Sequence, residues 1–162
     1  MCVIISVSKH DSEHWIPPGM EALKFNVDGS SRGKPGLAGI GGILRDSTGK
    51  VWCLFSLFLG SLDSNSAELM AIEKASSLRA LNPILRGKNI DIISNSKMAV
   101  SWINNEGFGS LIHINTVYDI RDYLKDHGGL KVSFCSQASN YFTDNLAKRG
   151  SSEEGDFIHR GV

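Results

Sequence analysis

Four polar residues of this sequence stand where predicted strands and helices meet. Asp28 closes the alternating segment LKFNVDG and Asn95 follows the apolar segment NIDIIS, while Glu68 and Asp144 lie in the predicted helices of SNSAELMAI and NYFTDNLAKRG. Strand ends and helix starts form the crevice of an α/β sheet, so we expect these four side chains to converge. Converging carboxylates need a cation between them, and Mg²⁺ accepts such oxygen ligands. Two such ions about 4 Å apart clamp the attacking and leaving oxygens of a phosphodiester.

Each of these residues also has a purely structural explanation. The aspartate before Gly29 suits a turn. Asn65 and Glu68 fit a capping box, with Asn65 as the N-cap and Glu68 in the first helical turn. Asn95 fits an N-cap of the helix that follows it, and Asp144 fits a solvated helix residue. Spacing alone leaves both interpretations open.

The elements that would position these residues follow from hydrophobic periodicity. Alternation in LKFNVDG predicts a strand, and LAGIGGILRD with VWCLFSLFL, joined by STGK, predicts a hairpin in which Gly39, Gly41 and Gly42 permit close backbone approach. Helical periodicity begins near Ser66 and ends at Asn82. A fourth strand (89–94), a short helix (96–104), a second long helix (111–127), a fifth strand (130–136) and a last helix (139–150) follow.

Three consecutive strands followed by alternating helices and strands predict an α/β fold. Its sheet is a five-stranded mixed sheet, antiparallel first and parallel after, flanked by helices. The length of 162 residues suits one domain. We assign residues 1–22, which contain the helix-breaking WIPPG, to a lead-in, residues 23–150 to the domain, and the polar residues 151–162 to a flexible tail.

Composition narrows the class of function. Seventeen basic and 17 acidic residues leave no net charge, which argues against binding nucleic acid by bulk charge alone.

The cysteines Cys2, Cys53 and Cys135 form no CxxC or Cys/His cluster, so we expect no zinc site and no disulfide framework. A reducing intracellular setting, nucleus or cytoplasm, fits best. The most apolar run, 51–59, is far shorter than the roughly 20 residues that span a bilayer, so no membrane association is expected.

Four stretches together resemble the ribonuclease H family, specifically the ribonuclease H-like domains of plant non-LTR retrotransposons. They are WIPPGMEALKFNVDGSSRGKPGLAGIGGILRD, DSNSAELMAI, IISNSKMAVSWI and NYFTDNLAKRG, in the family's order across residues 15–150. The resemblance implies hydrolysis of the RNA strand of an RNA–DNA hybrid with two Mg²⁺ or Mn²⁺ ions bound alongside the substrate. It implies a monomer, or one domain of a larger polyprotein.

The resemblance also assigns roles to individual residues. It makes Asp28, Glu68 and Asp144 metal ligands, with Asn95 as a weakened fourth. Neutral donors and acceptors suit the 2′-hydroxyls of a hybrid's RNA strand. The hybrid contacts that the resemblance implies are Gly29, Ser30, Asn65, Ser96 and Lys97.

The chain departs from the family pattern at two site positions. Asn95 stands where the family has aspartate, and Phe134, in FCSQA, stands where it has histidine. A unit charge about 4 Å from a divalent ion is worth roughly 8 kcal/mol gross at an effective dielectric of about 20. If hydration offsets three quarters of this, losing it costs about 2 kcal/mol, or roughly thirtyfold in metal affinity. We therefore expect impaired cleavage, with a catalytically lapsed hybrid-binding module or a folded retroelement remnant as the alternative.

Overall fold

The computed structural model describes residues 15–105, 111–126, 128–152 and 155–160, so most of the predicted lead-in, including Cys2, lies outside the described residues. Within these ranges the chain forms six strands, four α-helices and two short 3₁₀-helices. In chain order they are β1 (Ala22–Ser31), β2 (Gly36–Arg45), β3 (Val51–Leu62), α1 (Ser64–Leu81), β4 (Asn89–Ser94), α2 (Lys97–Asn104), η1 (Leu111–His113), α3 (Ile114–Asp126), β5 (Leu130–Phe134), η2 (Gln137–Asn140), α4 (Tyr141–Ser151) and β6 (Phe157–Arg160).

The strands form one mixed sheet in the order β5-β4-β1-β2-β3-β6. The pairs β1–β2, β2–β3 and β3–β6 are antiparallel, whereas β1–β4 and β4–β5 are parallel. The predicted α/β fold with a mixed sheet is thereby confirmed, with one strand more than expected. That strand, β6, lies in the segment predicted as a tail and pairs Phe157 with Ser56 of β3. The sequence does not predict β6, because its four residues are too few to show the alternation of a strand. The strand forms because the edge of β3 offers it a pairing partner.

The two faces of the sheet carry different helices. Leu23, Phe25 and Val27 of β1 belong to the main core, which they share with residues of α1, α2 and α3. Ile43 of β2 faces the other way and joins a smaller core with Leu146 of α4. Because side chains alternate along a strand, Asn26 and Asp28 share the α4 face of β1. The period-two pattern therefore separates the apolar side of β1 from the side that carries its polar residues.

Glycines let both layers of helices approach the sheet closely. A Cβ on Gly29 would lie 2.5 Å from the backbone nitrogen of Glu68 in α1. One on Gly41 would lie 2.5 Å from Cβ of Leu146 and 2.6 Å from the backbone nitrogen of Ala147 in α4. The expected close backbone approach is therefore present, and it brings α1 and α4 against β1 and β2.

The start of α1 differs from the predicted capping box. Asp63 is the N-cap, and its Oδ1 accepts a hydrogen bond from the backbone N–H of Ser66 at 2.7 Å. The capping role suggested for Asn65 is therefore wrong, and Glu68 lies two residues further into the helix than expected. A carboxylate at the cap position satisfies the free N–H groups, so neither Asn65 nor Glu68 is needed for that purpose.

The start of α2 excludes the structural explanation of Asn95. Ser96 is the N-cap, and its Oγ accepts a hydrogen bond from the backbone N–H of Ala99 at 3.2 Å. Asn95 therefore lies one residue before the cap and does not cap the helix. Among the described residues, no helix combines the length and the apolar character needed to cross a bilayer.

Candidate active site

The site begins at the carboxyl ends of two neighbouring parallel strands. Val27 of β1 pairs with Ser94 of β4, so Asp28 and Asn95 are the next residues on adjacent strands. The side chain of Asp28 is only 2% exposed, and its Oδ1 accepts a hydrogen bond from the backbone N–H of Gly29 at 3.0 Å. The parallel register thus places Asp28 and Asn95 at equivalent positions just beyond the last residue pair of the two strands.

Two further carboxyls meet Asp28 from the helices. The Asp28 carboxyl lies within hydrogen-bonding reach of Glu68 in α1 and of Asp144 in α4. Burial, followed by the charges and hydrogen bonds of these two acids, raises the pKa of Asp28 well above its ordinary value. Burial also raises the pKa of Glu68, although hydrogen bonds from Asp28 and from the Gly29 backbone oppose that shift. Burial and the neighbouring acids therefore favour the neutral form of Asp28.

A cation of the chain itself contacts the cluster. Nζ of Lys148 lies 2.8 Å from Oδ2 of Asp144, one helical turn earlier in α4. The side chains of Lys148 and Asp144 are 63% and 17% exposed. The hydrogen bond and the charge of Asp144 raise the pKa of Lys148. The i, i+4 spacing of the pair is visible in the sequence, but spacing alone gives no sign that Lys148 contacts the acidic cluster.

Two oxygens at the site lack hydrogen-bond partners among the described residues. Oε2 of Glu68 and Oδ1 of Asn95 are both buried in this state. Buried polar atoms are normally paired, and carboxylate and amide oxygens are hard ligands of the kind that Mg²⁺ and Mn²⁺ accept. The donor chemistry therefore fits a divalent cation. In the parts of the chain that the structure describes, however, no three carboxyl, imidazole or thiol groups are arranged to hold a metal ion.

The fit of these oxygens to a divalent cation and the lack of a three-group arrangement among the described residues have one physical explanation. Asp28 and Glu68 are desolvated and lie close to one another and to Asp144, which raises the pKa of both carboxyls and favours their protonated forms. Binding a divalent cation requires Asp28 to lose its proton, after which the carboxyls repel one another and turn towards the positive charge.

The residues expected to contact a hybrid lie around the same end of the sheet. Gly29 packs on α1 beside Glu68, and Asn65 is exposed in the first turn of that helix. Ser30 follows on β1, while Ser96 and Lys97 start α2 after β4. Only Gly29 among these five has a described hydrogen bond to the cluster.

Phe134 occupies the rim of the site at the end of β5. Its side chain is 46% exposed, and Nζ of Lys97 lies 5.5 Å from the centroid of its ring. The backbone N–H of Cys135, the next residue, donates to the carbonyl of Ser94 at 2.9 Å. The segment therefore approaches the site, but the side chain at the family's histidine position cannot transfer a proton.

Three buried polar residues near the cluster were missed by the sequence analysis. Asn26, Arg45 and Asn140 are connected by hydrogen bonds beneath Asp28. Asparagines in a strand and before a helix look like ordinary edge or cap residues in the sequence, so no spacing signal distinguished them.

Comparison with known proteins places these features in a family. The reverse transcriptase-like family model matches residues 26–150. An Arabidopsis thaliana protein with the provisional name of a ribonuclease H protein is 49% identical over 59 residues, which cover 36% of this chain and 9% of that protein. The chain thus matches only a small part of the length of this curated relative.

Solved structures share the fold. A ribonuclease H1 isolated from compost by a metagenomic approach superposes with a TM-score of 0.75 at 21% identity, over 83% of this chain and 98% of that chain. The ribonuclease H1 of Halobacterium salinarum gives 0.73 at 20% identity, over 82% and 98%. A foamy viral protease-reverse transcriptase in complex with an RNA/DNA hybrid gives 0.66 at 21% identity, over 92% of this chain and 22% of that chain.

The family model covers most of the chain. The solved ribonuclease H1 structures share its fold. The chain therefore belongs to the reverse transcriptase-like family and is a ribonuclease H-like domain.

Proposed function

We propose that this domain binds RNA–DNA hybrids and hydrolyses their RNA strand with the help of divalent metal ions, Mg²⁺ or Mn²⁺. The observation that carries the proposal is the approach of Asp28 to Glu68 and Asp144, from one strand and two helices. The compost ribonuclease H1 has also been solved in complex with an RNA/DNA hybrid, which supports this choice of substrate. Because the viral protein that shares the fold is much longer, we also propose that the domain acts within a larger polyprotein.

Asp28, Glu68 and Asp144 would hold the metal, and the unpaired Oδ1 of Asn95 would add a neutral ligand. A pair of divalent ions supplies an activated water and stabilises the leaving oxygen of the phosphodiester. Before this, Asp28 has to release its proton and Asp144 has to exchange its contact with Lys148 for the metal. These two requirements make cation binding by this chain dependent on pH and on Lys148.

The residues proposed to contact the hybrid offer mostly neutral donors and acceptors. Such groups can read 2′-hydroxyls across a minor groove without a strongly basic surface, in agreement with the net charge of zero. Lys97 adds one exposed cation next to Phe134 for a phosphate. The proposed contacts are Gly29, Ser30, Asn65, Ser96 and Lys97.

We propose that cleavage is slow. Asn95 supplies no charge, which weakens metal binding by roughly thirtyfold on the electrostatic argument above. Phe134 cannot assist proton transfer, help that is typically worth about 10²–10⁴-fold. Both changes leave the fold intact, because Ser96 caps α2 and Phe134 ends β5.

A hybrid-binding module without cleavage is the second candidate. It is favoured by the ion pair between Lys148 and Asp144 and by the absence, among the described residues, of a three-group metal arrangement. In this case the chain would bind a hybrid without hydrolysing its RNA strand.

Hybrid cleavage by the natural chain, Asn95→Asp and Asn95→Asp/Asp28→Asn, in Mg²⁺ and in Mn²⁺, tests the proposal. We expect Asn95→Asp to raise the rate by at least about tenfold, since it restores metal affinity, and the double variant to be inactive. An unchanged rate in Asn95→Asp would place Asn95 outside the metal site.

Salt-dependent binding of a labelled hybrid separates the remaining cases. Binding without cleavage, even in Asn95→Asp, would support the lapsed module. Affinity no greater than that of an unrelated neutral protein would contradict both candidates and leave a folded retroelement remnant.

A further inference from the structure

Asn140 is the last residue of η2 and the N-cap residue of α4, yet its side chain does not cap that helix. It is 1% exposed and turns into the sheet, where its Nδ2 donates to the carbonyl of Val27 at 2.7 Å. Asparagine at this position normally satisfies a free N–H group of the helix. The amide is therefore used for a contact between α4 and β1 instead of for the helix itself.

A second amide holds Asn140 in this orientation. Nδ2 of Asn26 donates to Oδ1 of Asn140 at 3.0 Å, and Nη2 of Arg45 donates to Oδ1 of Asn26 at 3.4 Å. Behind them, the Arg45 guanidinium lies 4.2 Å from the centroid of the Trp15 ring. We call Asn26, Asn140 and Arg45 the amide relay. Directional hydrogen bonds in a buried setting permit few alternative geometries.

The amide relay joins the two segments that carry Asp28 and Asp144. The carbonyl that accepts from Asn140 belongs to Val27, the residue immediately before Asp28. Asn140 stands one turn before Asp144 in the chain. Apolar packing of Leu146 on the sheet resists separation of α4, but it is less specific about sliding than a hydrogen bond. The relay is thus placed to set the position of Asp144 relative to Asp28.

We propose that Asn140, held by Asn26 and Arg45, is a positioning residue that fixes the start of α4 on β1 and thereby sets the divalent-metal affinity of the acidic cluster. The second half of this inference rests on the proposed function, whereas the first half concerns the protein without metal. Asn140 touches neither substrate nor metal; it acts through the backbone of Val27 and through α4.

Asn104 provides a matched control. Its Nδ2 donates to the carbonyl of Val132 at 2.9 Å, so it also ties a helix to a strand through one amide. It joins α2 to β5, away from α4. Asn104→Ala therefore removes the same kind of contact without affecting the spacing of Asp28 and Asp144.

The experiment compares Asn140→Ala with Asn104→Ala in the Asn95→Asp background. Amide hydrogen exchange without metal is followed in peptides from α4 and from α2, and Mn²⁺ affinity is measured by the concentration dependence of the melting temperature. We expect the amides of α4 to exchange at least about tenfold faster in Asn140→Ala. We also expect the Mn²⁺ affinity of this variant to fall by about tenfold, because Asp144 is then a misplaced ligand. Asn104→Ala is expected to leave both quantities unchanged.

Each outcome decides the proposal. Unchanged exchange of α4 in Asn140→Ala would overturn it, as would an equal loss of Mn²⁺ affinity in both variants. If Asn95→Asp itself shows no response to Mn²⁺, the proposed function fails, and the exchange result alone decides whether Asn140 fixes α4. If Asn140→Ala does not fold, Asn26→Ala replaces it. Asn26→Ala removes only the support of Asn140, so we expect changes of about threefold in the same directions.

Discussion

Helix α1 carries two charged side chains, the buried Arg79 and the partly buried Glu68, whose polar atoms differ in how fully the chain pairs them. Arg79 is 2% exposed, and its Nε and Nη2 donate to the carbonyl of Lys88 at 3.1 and 2.9 Å. Its Nη2 also donates to the carbonyl of Gly128 at 2.6 Å. Glu68, near the other end of the helix, has an oxygen without a partner among the described residues and neighbours of its own charge sign.

This difference distinguishes a charge that serves the fold from one that is held for a ligand. Main-chain carbonyls cannot leave the structure, so the interactions of Arg79 are complete in the isolated chain. The interactions of Glu68 are incomplete until a cation arrives, because its burial raises its pKa and opposes its ionised form. A charged group that keeps a buried oxygen without a partner is therefore a better indicator of a binding site than burial alone.

Removing the Arg79 guanidinium should have the largest effect on the free energy of unfolding. Arg79→Met removes the charged donor that the carbonyls of Lys88 and Gly128 share, so we predict a loss of about 2–3 kcal/mol in the free energy of unfolding. Urea denaturation measures it. Arg79→Lys, which keeps the charge but not the planar fork, should lose less. A loss below about 1 kcal/mol in Arg79→Met would show that water replaces the guanidinium.

Removing the Glu68 carboxylate should change the free energy of unfolding in the opposite direction. Glu68→Gln abolishes a desolvated carboxylate, and we predict that the metal-free domain gains about 1 kcal/mol in the free energy of unfolding. The stabilisation by Mn²⁺ should disappear in the same variant. Glu73→Gln on the same helix is the control, because its side chain is half-buried and belongs to no acidic cluster with Asp28. Mn²⁺ should stabilise Glu73→Gln as much as the natural chain; an intact Mn²⁺ response in Glu68→Gln would remove Glu68 from the proposed site.

The protonated cluster gives a pH dependence whose sign is fixed by Asp28. Its folded-state pKa is raised above the unfolded value of about 3.9, so its favourable contribution is complete at low pH and is lost as the pH rises from about 4 through neutrality. Asp28→Asn has no such titration. In EDTA, the melting temperature of the natural chain relative to Asp28→Asn should therefore fall between pH 5 and pH 8. Parallel pH profiles of the two proteins would contradict the raised pKa.

The sequence predicted those parts of the molecule that depend on local patterns. Period-two alternation located β1 and put Asp28 at its end, and the change to helical periodicity located α1 with Glu68. The parallel pairing of β1 with β4 then placed Asn95 beside Asp28 without further information. The carboxyl ends of parallel strands lie at one edge of a sheet, so the sequence pattern alone makes Asp28 and Asn95 candidates for one site.

The remaining parts depend on contacts between distant segments. Nothing in the local pattern shows that Asn140 faces the carbonyl of Val27, because the approach of α4 to β1 decides it. Arg79 on a helix resembles a solvated charge until the loops that provide Lys88 and Gly128 fold over it. Strand β6 likewise needs the edge of β3. In each case tertiary structure supplies the partner, and a propensity argument has no access to it.

The smallest predicted effect concerns Lys148, whose ammonium contacts Asp144 in the acidic cluster. Its side chain is mostly exposed, so the pair with Asp144 contributes at most about 0.5 kcal/mol, and Lys148→Met should barely change the free energy of unfolding. Because the ammonium competes with a metal for Asp144, the same variant should bind Mn²⁺ about twofold more tightly. Lys125→Met on α3 is the control and should change neither quantity. A weaker affinity for Mn²⁺ in Lys148→Met would mean that the ammonium orients Asp144 for metal binding, so that the two charges of α4 cooperate instead of competing.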